Sequence, residues 1–268
     1  CRRMERFRQG RILFTGDAAH QVSPFGARGA NSGLQDTDNL VWKLNLVMEG
    51  KAADALLDTY CSEREYAADE NIMNSTRATD FITPKSVASK TFRNATLELS
   101  KRFGFAQKLT NSGRLSDAAF LTESELNTAD VDEFSGDMVP GAVAADAPVA
   151  GDDGSRWLLS ALGNHFSCVL FAESAEQVSE SQLAVLTSMQ HADIPVEPLL
   201  ITASAGSPLT GVRTLHDREG LAAARYDAQP GTAYLVRPDQ HICARWRELS
   251  ADRLEQALQH ATANKRIK

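Results

Sequence analysis

The feature that most constrains this chain is the run Arg11-Ile12-Leu13-Phe14-Thr15-Gly16-Asp17 and the glycine-rich stretch after it. A short apolar run stopping at Gly-Asp reads as a buried strand followed by a turn. Gly26, Gly29 and Gly33 punctuate the next loop. From about Ala30 to Met48, Leu34, Leu40, Val41, Leu44 and Val47 recur at helical spacing, and Gly50 is placed to cap the end. The pattern is strand, loop, long helix. Open α/β sheets bind ligands beyond the carboxyl ends of their strands, which is where Asp17 falls. Gly16 permits close backbone approach, and Asp17 can accept hydrogen bonds from sugar-like hydroxyls. N–H groups at a helix start suit an electron-rich or anionic group. Asn31 fits a capping or ligand-bonding role, and Pro24 stiffens the loop and can offer a flat apolar surface. On spacing alone, an ordinary connection with turn glycines fits equally well. The stretch is not G-x-G-x-x-G, and the chain has no G-x-x-x-x-G-K-[ST].

A second helical pattern runs from about Ala52 to Thr79, until Pro84 breaks it. Leu56, Leu57, Tyr60, Tyr66 and Ala67 give it an apolar side; Glu63, Arg64, Glu65, Asp69 and Glu70 give it a charged one. A third helix is expected over Ser86–Leu109, anchored by Phe92, Leu99, Phe103 and Phe105. Residues 111–154 turn small and acidic, which suggests a linker or an extended connection wrapped over the surface, with a boundary near 140–155. The remainder alternates. Strands are expected at Arg156–Leu159, Phe166–Phe171 and Val196–Ile201, and a hairpin at Thr232–Val236 and Ile242–Trp246 across Arg237–Gln240. Helices are expected at Ala175–His191, with Val178, Leu183, Leu186 and Met189 inside, at Asp217–Ala224, and from Ser250, which can cap it. Leu254, Ala257 and Leu258 would face inward. The order β-β-α-β-α-β-β-α describes a small α/β sheet domain.

Composition closes several routes. With 28 Lys+Arg against 35 Asp+Glu the net charge is −7, which argues against a broad nucleic-acid face. No apolar run approaches a membrane span, and the basic N-terminus leads into no signal-peptide core, so a cytoplasmic location is the default. Cys1, Cys61, Cys168 and Cys243 form no C-x-x-C and no zinc spacing, so free thiols and no metal are expected. His191, His216, His241 and His260 are scattered, Asp152-Asp153 reads as a solvated turn, and Lys265-Arg266-Ile267-Lys268 as a solvated basic end. No G-x-S-x-G elbow occurs. A start at Cys1, with a strand about ten residues on, suggests a piece of a larger protein.

Gly16-Asp17-Ala18-Ala19-His20, then Pro24, then the glycine loop, then Asn31-Ser32-Gly33-Leu34-Gln35-Asp36 resembles the second FAD motif of the single-component flavoprotein aromatic hydroxylases. Asp38-Asn39-Leu40-Val41-Trp42-Lys43-Leu44 continues the likeness. It points to the branch containing phenol, hydroxyphenylpropionate and polyketide hydroxylases. The resemblance implies that Asp17 binds the ribityl chain and Pro24 sits beside the flavin ring. It also implies that Gly29, Ala30 and Asn31 offer backbone groups to the pyrimidine edge. Gly16 and Gly26 complete the cofactor-binding set. His20 is expected to support the loop; Arg28 is expected either to contact flavin or substrate or to be solvated. No catalytic residue is assigned. The reaction implied is hydroxylation of a phenol-like ring with FAD, NAD(P)H and O₂.

The same branch can carry a thioredoxin-like third domain, and Pro230–Trp246 looks like its terminal hairpin, without the redox C-x-x-C. Cys168 and Cys243 then read as core residues, and the domain as structural, serving packing or homodimer contacts. The expected organisation is α/β throughout. Residues 1–110 are the C-terminal part of an FAD-binding domain, mostly helical; 111–154 are a linker; 155–268 are the thioredoxin-like domain. The G-x-G-x-x-G that holds the ADP half of FAD is absent from the sequence, so weak or no FAD binding is expected of this chain alone. The alternative is a non-catalytic thioredoxin-like interaction module with a remnant flavin loop.

Overall fold

The computed structural model describes residues 1–24, 28–110, 118–151, 153–207 and 209–264. The chain is mixed α/β and forms two compact units: Cys1–Asn39 with Tyr60–Ala119, and Leu40–Thr59 with Phe120–Lys268.

The first unit begins with four two-residue strands: β1 (Arg2–Arg3), β2 (Arg8–Gln9), β3 (Ile12–Leu13) and β4 (His20–Gln21). β1 pairs antiparallel with β4, and β2 with β3. The expected buried strand at Arg11–Phe14 is therefore a short hairpin arm, with Ile12 60% exposed. Its only strand partner among the described residues is β2, so no sheet covers it. After β3 the chain makes a 3₁₀ turn at Gly16–Ala18 and enters α1 (Arg28–Met48).

The end of α1 is a Schellman cap. Gly50 at φ +70° donates to the Val47 carbonyl, and Lys51 N–H donates to Leu46 O. α2 (Leu56–Ile82) stops two residues before Pro84. The single helix expected at Ser86–Leu109 is two: α3 (Val87–Ser100), capped by the Ser86 side chain, and α4 (Gly104–Thr110). Phe92, Leu99, Phe103 and Phe105, expected as anchors, are all exposed.

The inward side of α1 also differs from the expectation. Leu34 and Val41 are exposed, whereas Ser32, Asp36, Asn39 and Lys43 are buried at i, i+4, i+7 and i+11. On α2, Glu63 and Arg64 of the supposed solvent side are buried. Ser32 meets Asn71, Asp36 meets Arg64 and Asn39 meets Glu63, which is why both helices turn these polar residues inward.

The second unit is built on a six-stranded sheet. It contains β5 (Ala150–Gly151), β6 (Phe166–Ala172), β7 (Val196–Thr202), β8 (Arg213–His216), β9 (Ala233–Val236) and β10 (Ile242–Trp246). The order is β10-β9-β6-β7-β8-β5, with β6, β7 and β8 parallel and the others antiparallel to their neighbours. α5 (Glu180–Ser188), α6 (Leu221–Arg225) and α7 (Ala251–Ala261) complete it. Along β6 the faces alternate. Phe166, Cys168 and Leu170 join a core with Leu186, Leu254 and Leu258. Val169 and Phe171 join another with Tyr226 and Tyr234. Burial on both faces is why the strand reads as an unbroken apolar run. Pro198 is tolerated inside β7 because β8 starts pairing only at Leu199.

Several expectations change here. Arg156–Leu159 is not a strand: Trp157 makes one bridge to Pro148 and a 3₁₀ turn follows at Leu158–Ala161. The helix expected at Ala175–His191 is a 3₁₀ turn at Ala175–Gln177 and then α5, whose Ser179–Gln182 capping box fixes its start. The helix expected at Asp217–Ala224 is shorter, and β8 precedes it unforeseen. Ser250 holds the N-cap position of α7 without a side-chain cap bond, while Leu254, Ala257 and Leu258 are buried as expected. The described part of 111–154 docks rather than dangles, since Leu121, Leu126, Ala142, Ala147 and Val149 are buried. None of the four cysteines is in a disulfide, and burial pushes the Cys168 thiol up to about 12. Among the described residues no group of His, Cys, Asp and Glu could hold a metal, and no helix is long and apolar enough to cross a membrane.

Candidate functional site

Gly16 holds φ +56°, the left-handed region that glycine enters without steric cost. A Cβ added to Gly33 would lie 3.1 Å from Gly16 Cα, so the turn rests directly on the backbone of α1. The close approach constrains Gly33, whereas at Gly16 an added Cβ would make an ordinary 3.7 Å contact and it is the left-handed backbone that favours glycine. Asp17 follows within the 3₁₀ turn; its side chain is exposed and has no hydrogen-bond partner among the described residues.

Beneath the turn lies a buried polar cluster centred on Asp36 of α1. Asp36 Oδ2 accepts from Gly16 N–H at 3.0 Å and from His20 Nε2 at 2.6 Å; Oδ1 accepts from Arg64 Nε at 2.7 Å. Burial alone would raise the Asp36 carboxyl. The His20 hydrogen bond, the Arg64 charge and hydrogen bond, and the Gly16 N–H outweigh it and hold the group below the usual carboxylate range. His20 stacks on Phe7 with ring centroids 5.7 Å apart, and its Nδ1 is buried without a partner. His20 thus supports the loop, as expected.

α2 supplies the opposite wall. Tyr60 donates to Phe14 O at 2.5 Å, Glu65 accepts from Phe7 N–H at 2.9 Å, and Asp69 pairs with Arg3 at 2.6 Å. Tyr60, Glu65 and Asp69 thus hold the N-terminal segment directly, and Arg64 holds the Gly16 turn through Asp36.

Of the other expected site residues, Gly29 is half-buried and Ala30 and Asn31 are exposed in the first turn of α1. That turn carries no acidic side chain, leaving the positive end of the helix uncompensated by its own residues. Pro24 is exposed and lines a cavity of about 500 Å³ with Val22, Ser23, Thr76 and Thr79. Gly26 lies outside the described residues. Arg28 is buried, not solvated: it donates to Asn71, which donates to Ser32 Oγ at 3.0 Å. The structure therefore gathers Gly16 and Asp17 on one side and the start of α1 on the other. Asp36, Arg64 and Asn71 were missed. The signal for Asp36 was the polar stripe 32, 36, 39, 43 at helical spacing; nothing in the periodicity singles out Arg64.

A flavin cofactor can be tested against this geometry. A ribityl chain needs a hydrogen-bond acceptor open to it, and Asp17 is exposed and unengaged. An electron-rich ring edge needs a helix start without carboxylates, which α1 provides. The donor set fits.

Residues 1–75 match the family model of the FAD binding domain. The matched stretch takes in the Gly16 turn, α1 and most of α2. Among curated relatives, the chain is 31% identical over 260 residues to 4-methyl-5-nitrocatechol 5-monooxygenase of a Burkholderia species, covering 92% of this chain and 42% of that protein. It is 28% identical over 252 residues to 3-(3-hydroxy-phenyl)propionate/3-hydroxycinnamic acid hydroxylase of Escherichia coli O157:H7, covering 91% of this chain and 44% of that one. The chain thus spans less than half the length of these relatives. The crystal structure of the flavin-dependent monooxygenase PieE in complex with FAD and substrate superposes with a TM-score of 0.70 at 21% identity, over 97% of this chain and 48% of that one. At that identity the likeness establishes a shared fold.

Proposed function

We propose that this chain supplies the flavin-facing half of the FAD site in a monooxygenase that hydroxylates an aromatic, phenol-like ring with NAD(P)H and O₂. The observation that carries the reading is the exposed, unengaged Asp17 carboxylate held at the start of α1 by the Gly16–Gly33 contact. Bound FAD supplies the redox and oxygen-transfer chemistry. Asp17 accepts hydrogen bonds from ribityl hydroxyls. The first-turn backbone of Gly29, Ala30 and Asn31 stabilises negative charge at the pyrimidine edge. Pro24 borders the ring. No side chain is assigned to proton transfer.

The organisation we propose is 1–110 as part of the FAD-binding domain, 111–154 as a docked connection and 155–268 as a thioredoxin-like domain. The order β10-β9-β6-β7, in which a βαβ unit is followed by an antiparallel hairpin and α7, supports the last assignment. With no C-x-x-C and with Cys168 and Cys243 buried, that domain serves packing, and we assign it homodimer contacts. Four cysteines outside any disulfide fit a cytoplasmic location. A purely non-catalytic module is not favoured, since hydroxylase and monooxygenase relatives match 91% and 92% of the chain across both units.

The test is to load the protein containing this chain with FAD and measure NAD(P)H oxidation with and without a panel of phenols. Incorporation of labelled O₂ into the ring is measured alongside. Phenol-stimulated oxidation with a labelled hydroxyl on the ring is expected. FAD binding with no phenol-dependent turnover across the panel would overturn the aromatic-hydroxylase reading.

A further inference from the structure

Among the described residues Arg64 forms no hydrogen bond to the Gly16–Ala18 turn, yet the turn hangs from it. Its Nε donates to Asp36 Oδ1 at 2.7 Å, and both side chains are almost wholly excluded from water, at 3% and 0% exposure. Nη2 reaches the Ser32 carbonyl and Gln35 Oε1, each at 3.5 Å. The other Asp36 oxygen takes Gly16 N–H and His20 Nε2. One carboxylate therefore ties together the turn, α1 and α2.

A fully buried carboxylate stays ionised only with a counter-charge and satisfied lone pairs. Arg64 meets the first need directly. Without it the carboxylate would lose its counter-charge and the partner that holds Oδ1, so the carboxyl would be free to turn and would carry less negative charge toward Gly16 and His20. The Gly16 N–H bond would weaken, and Gly16 is the residue from which Asp17 leaves the chain.

We infer that Arg64 is a positioning residue for the cofactor turn, acting through Asp36 to fix Gly16 and thereby aim Asp17. This rests on the reading of Asp17 as a cofactor ligand.

The experiment uses amide NMR on the full chain, which reads site-by-site hydrogen exchange and also FAD-induced shifts at weak affinity. In Arg64→Ala, Gly16 amide exchange is expected to rise about tenfold or more, while the amides of β6 and β7 keep their protection. FAD affinity is expected to fall about tenfold, and Arg64→Lys to restore part of both losses. Should Arg64→Ala unfold the first unit, the isosteric Asp36→Asn provides the same two readings. A folded variant with unchanged Gly16 exchange overturns the inference. So does a uniform loss across all first-unit amides with no excess at Gly16 and no rescue by lysine, the mark of a general scaffold residue. If Asp17→Ala binds FAD as well as wild type, it is the cofactor reading that fails, and Gly16 exchange still judges Arg64.

Discussion

His20 Nε2 and Asp36 Oδ2 lie 2.6 Å apart with neither side chain appreciably exposed, at 1% and 0%. They are sixteen residues apart in sequence, one at the exit of the Gly-Asp turn and the other in the third turn of α1. The contact makes the turn and the helix one object, and several consequences can be measured.

The first concerns acid. The Asp36 carboxyl is held below its ordinary value of 3.8, so folding favours its ionised form. That contribution is fully present above the unfolded value and is lost as pH falls through the lower folded one. The thermal midpoint of the first unit should therefore drop as pH falls below about 4. Asp36→Asn should flatten this dependence, and at neutral pH it should cost about 3–5 kcal/mol because Arg64 is left buried without its partner. Circular dichroism melts across the acid range give both readings.

A second ion pair predicts a similar loss in the other unit. Burial alone would raise the Asp239 carboxyl, but the Arg237 charge and the neighbouring His241 outweigh it and hold the group well below the usual range. Asp239 meets Arg237 at two points, 3.0 and 2.5 Å, in the turn between β9 and β10. Asp239→Asn should cost about 3–5 kcal/mol in urea unfolding. A loss under about 1 kcal/mol would show that the pair is worth no more than an exposed one.

How much of this was legible in the sequence depends on what each residue does. β6, the β9–β10 hairpin and the inward face of α7 were readable, because local chemistry and burial agree there. Arg11–Phe14 was read as a buried strand, since four residues with three apolar side chains carry that pattern whether or not a sheet flanks them. The apolar periodicity of α1 and α2 misled, as Leu34 and Val41 face out while Asp36 and Arg64 face in. Buried charge has no hydropathy signature; it is stable only through partners from distant segments, which a local pattern cannot display. Phe92, Phe103 and Phe105 failed for the opposite reason: nothing described covers them.

Two glycines with similar backbones should respond differently to substitution. Gly136 holds φ +83° with nothing within 4 Å of an added Cβ, whereas at Gly141, φ +96°, a Cβ would lie 2.4 Å from the Leu121 backbone. Gly136→Ala should cost about 1–2 kcal/mol, the left-handed backbone alone. Gly141→Ala should add about 1–3 kcal/mol of overpacking. Denaturant midpoints of the two variants separate these contributions, and equal midpoints would contradict the close approach.

Thiol chemistry reports burial directly. Cys1 is exposed, while Cys61, Cys168 and Cys243 are buried. A chromogenic disulfide reagent should titrate one thiol quickly in the native protein and all four after denaturation. Fast reaction of a second thiol under native conditions would place one of the buried cysteines at the surface.

The measurement that bears most directly on the flavin site is an amide NMR titration of this chain with FAD, repeated on Asp17→Ala. Because the chain lacks G-x-G-x-x-G, binding should be weak, with a Kd on the order of 0.1–1 mM. Shifts should concentrate at Gly16, Asp17, Ala30 and Asn31 and spare β6 and β7, and Asp17→Ala should weaken them about tenfold. Shifts confined to the second unit, or an Asp17→Ala titration indistinguishable from wild type, would contradict the assignment of this turn to the cofactor.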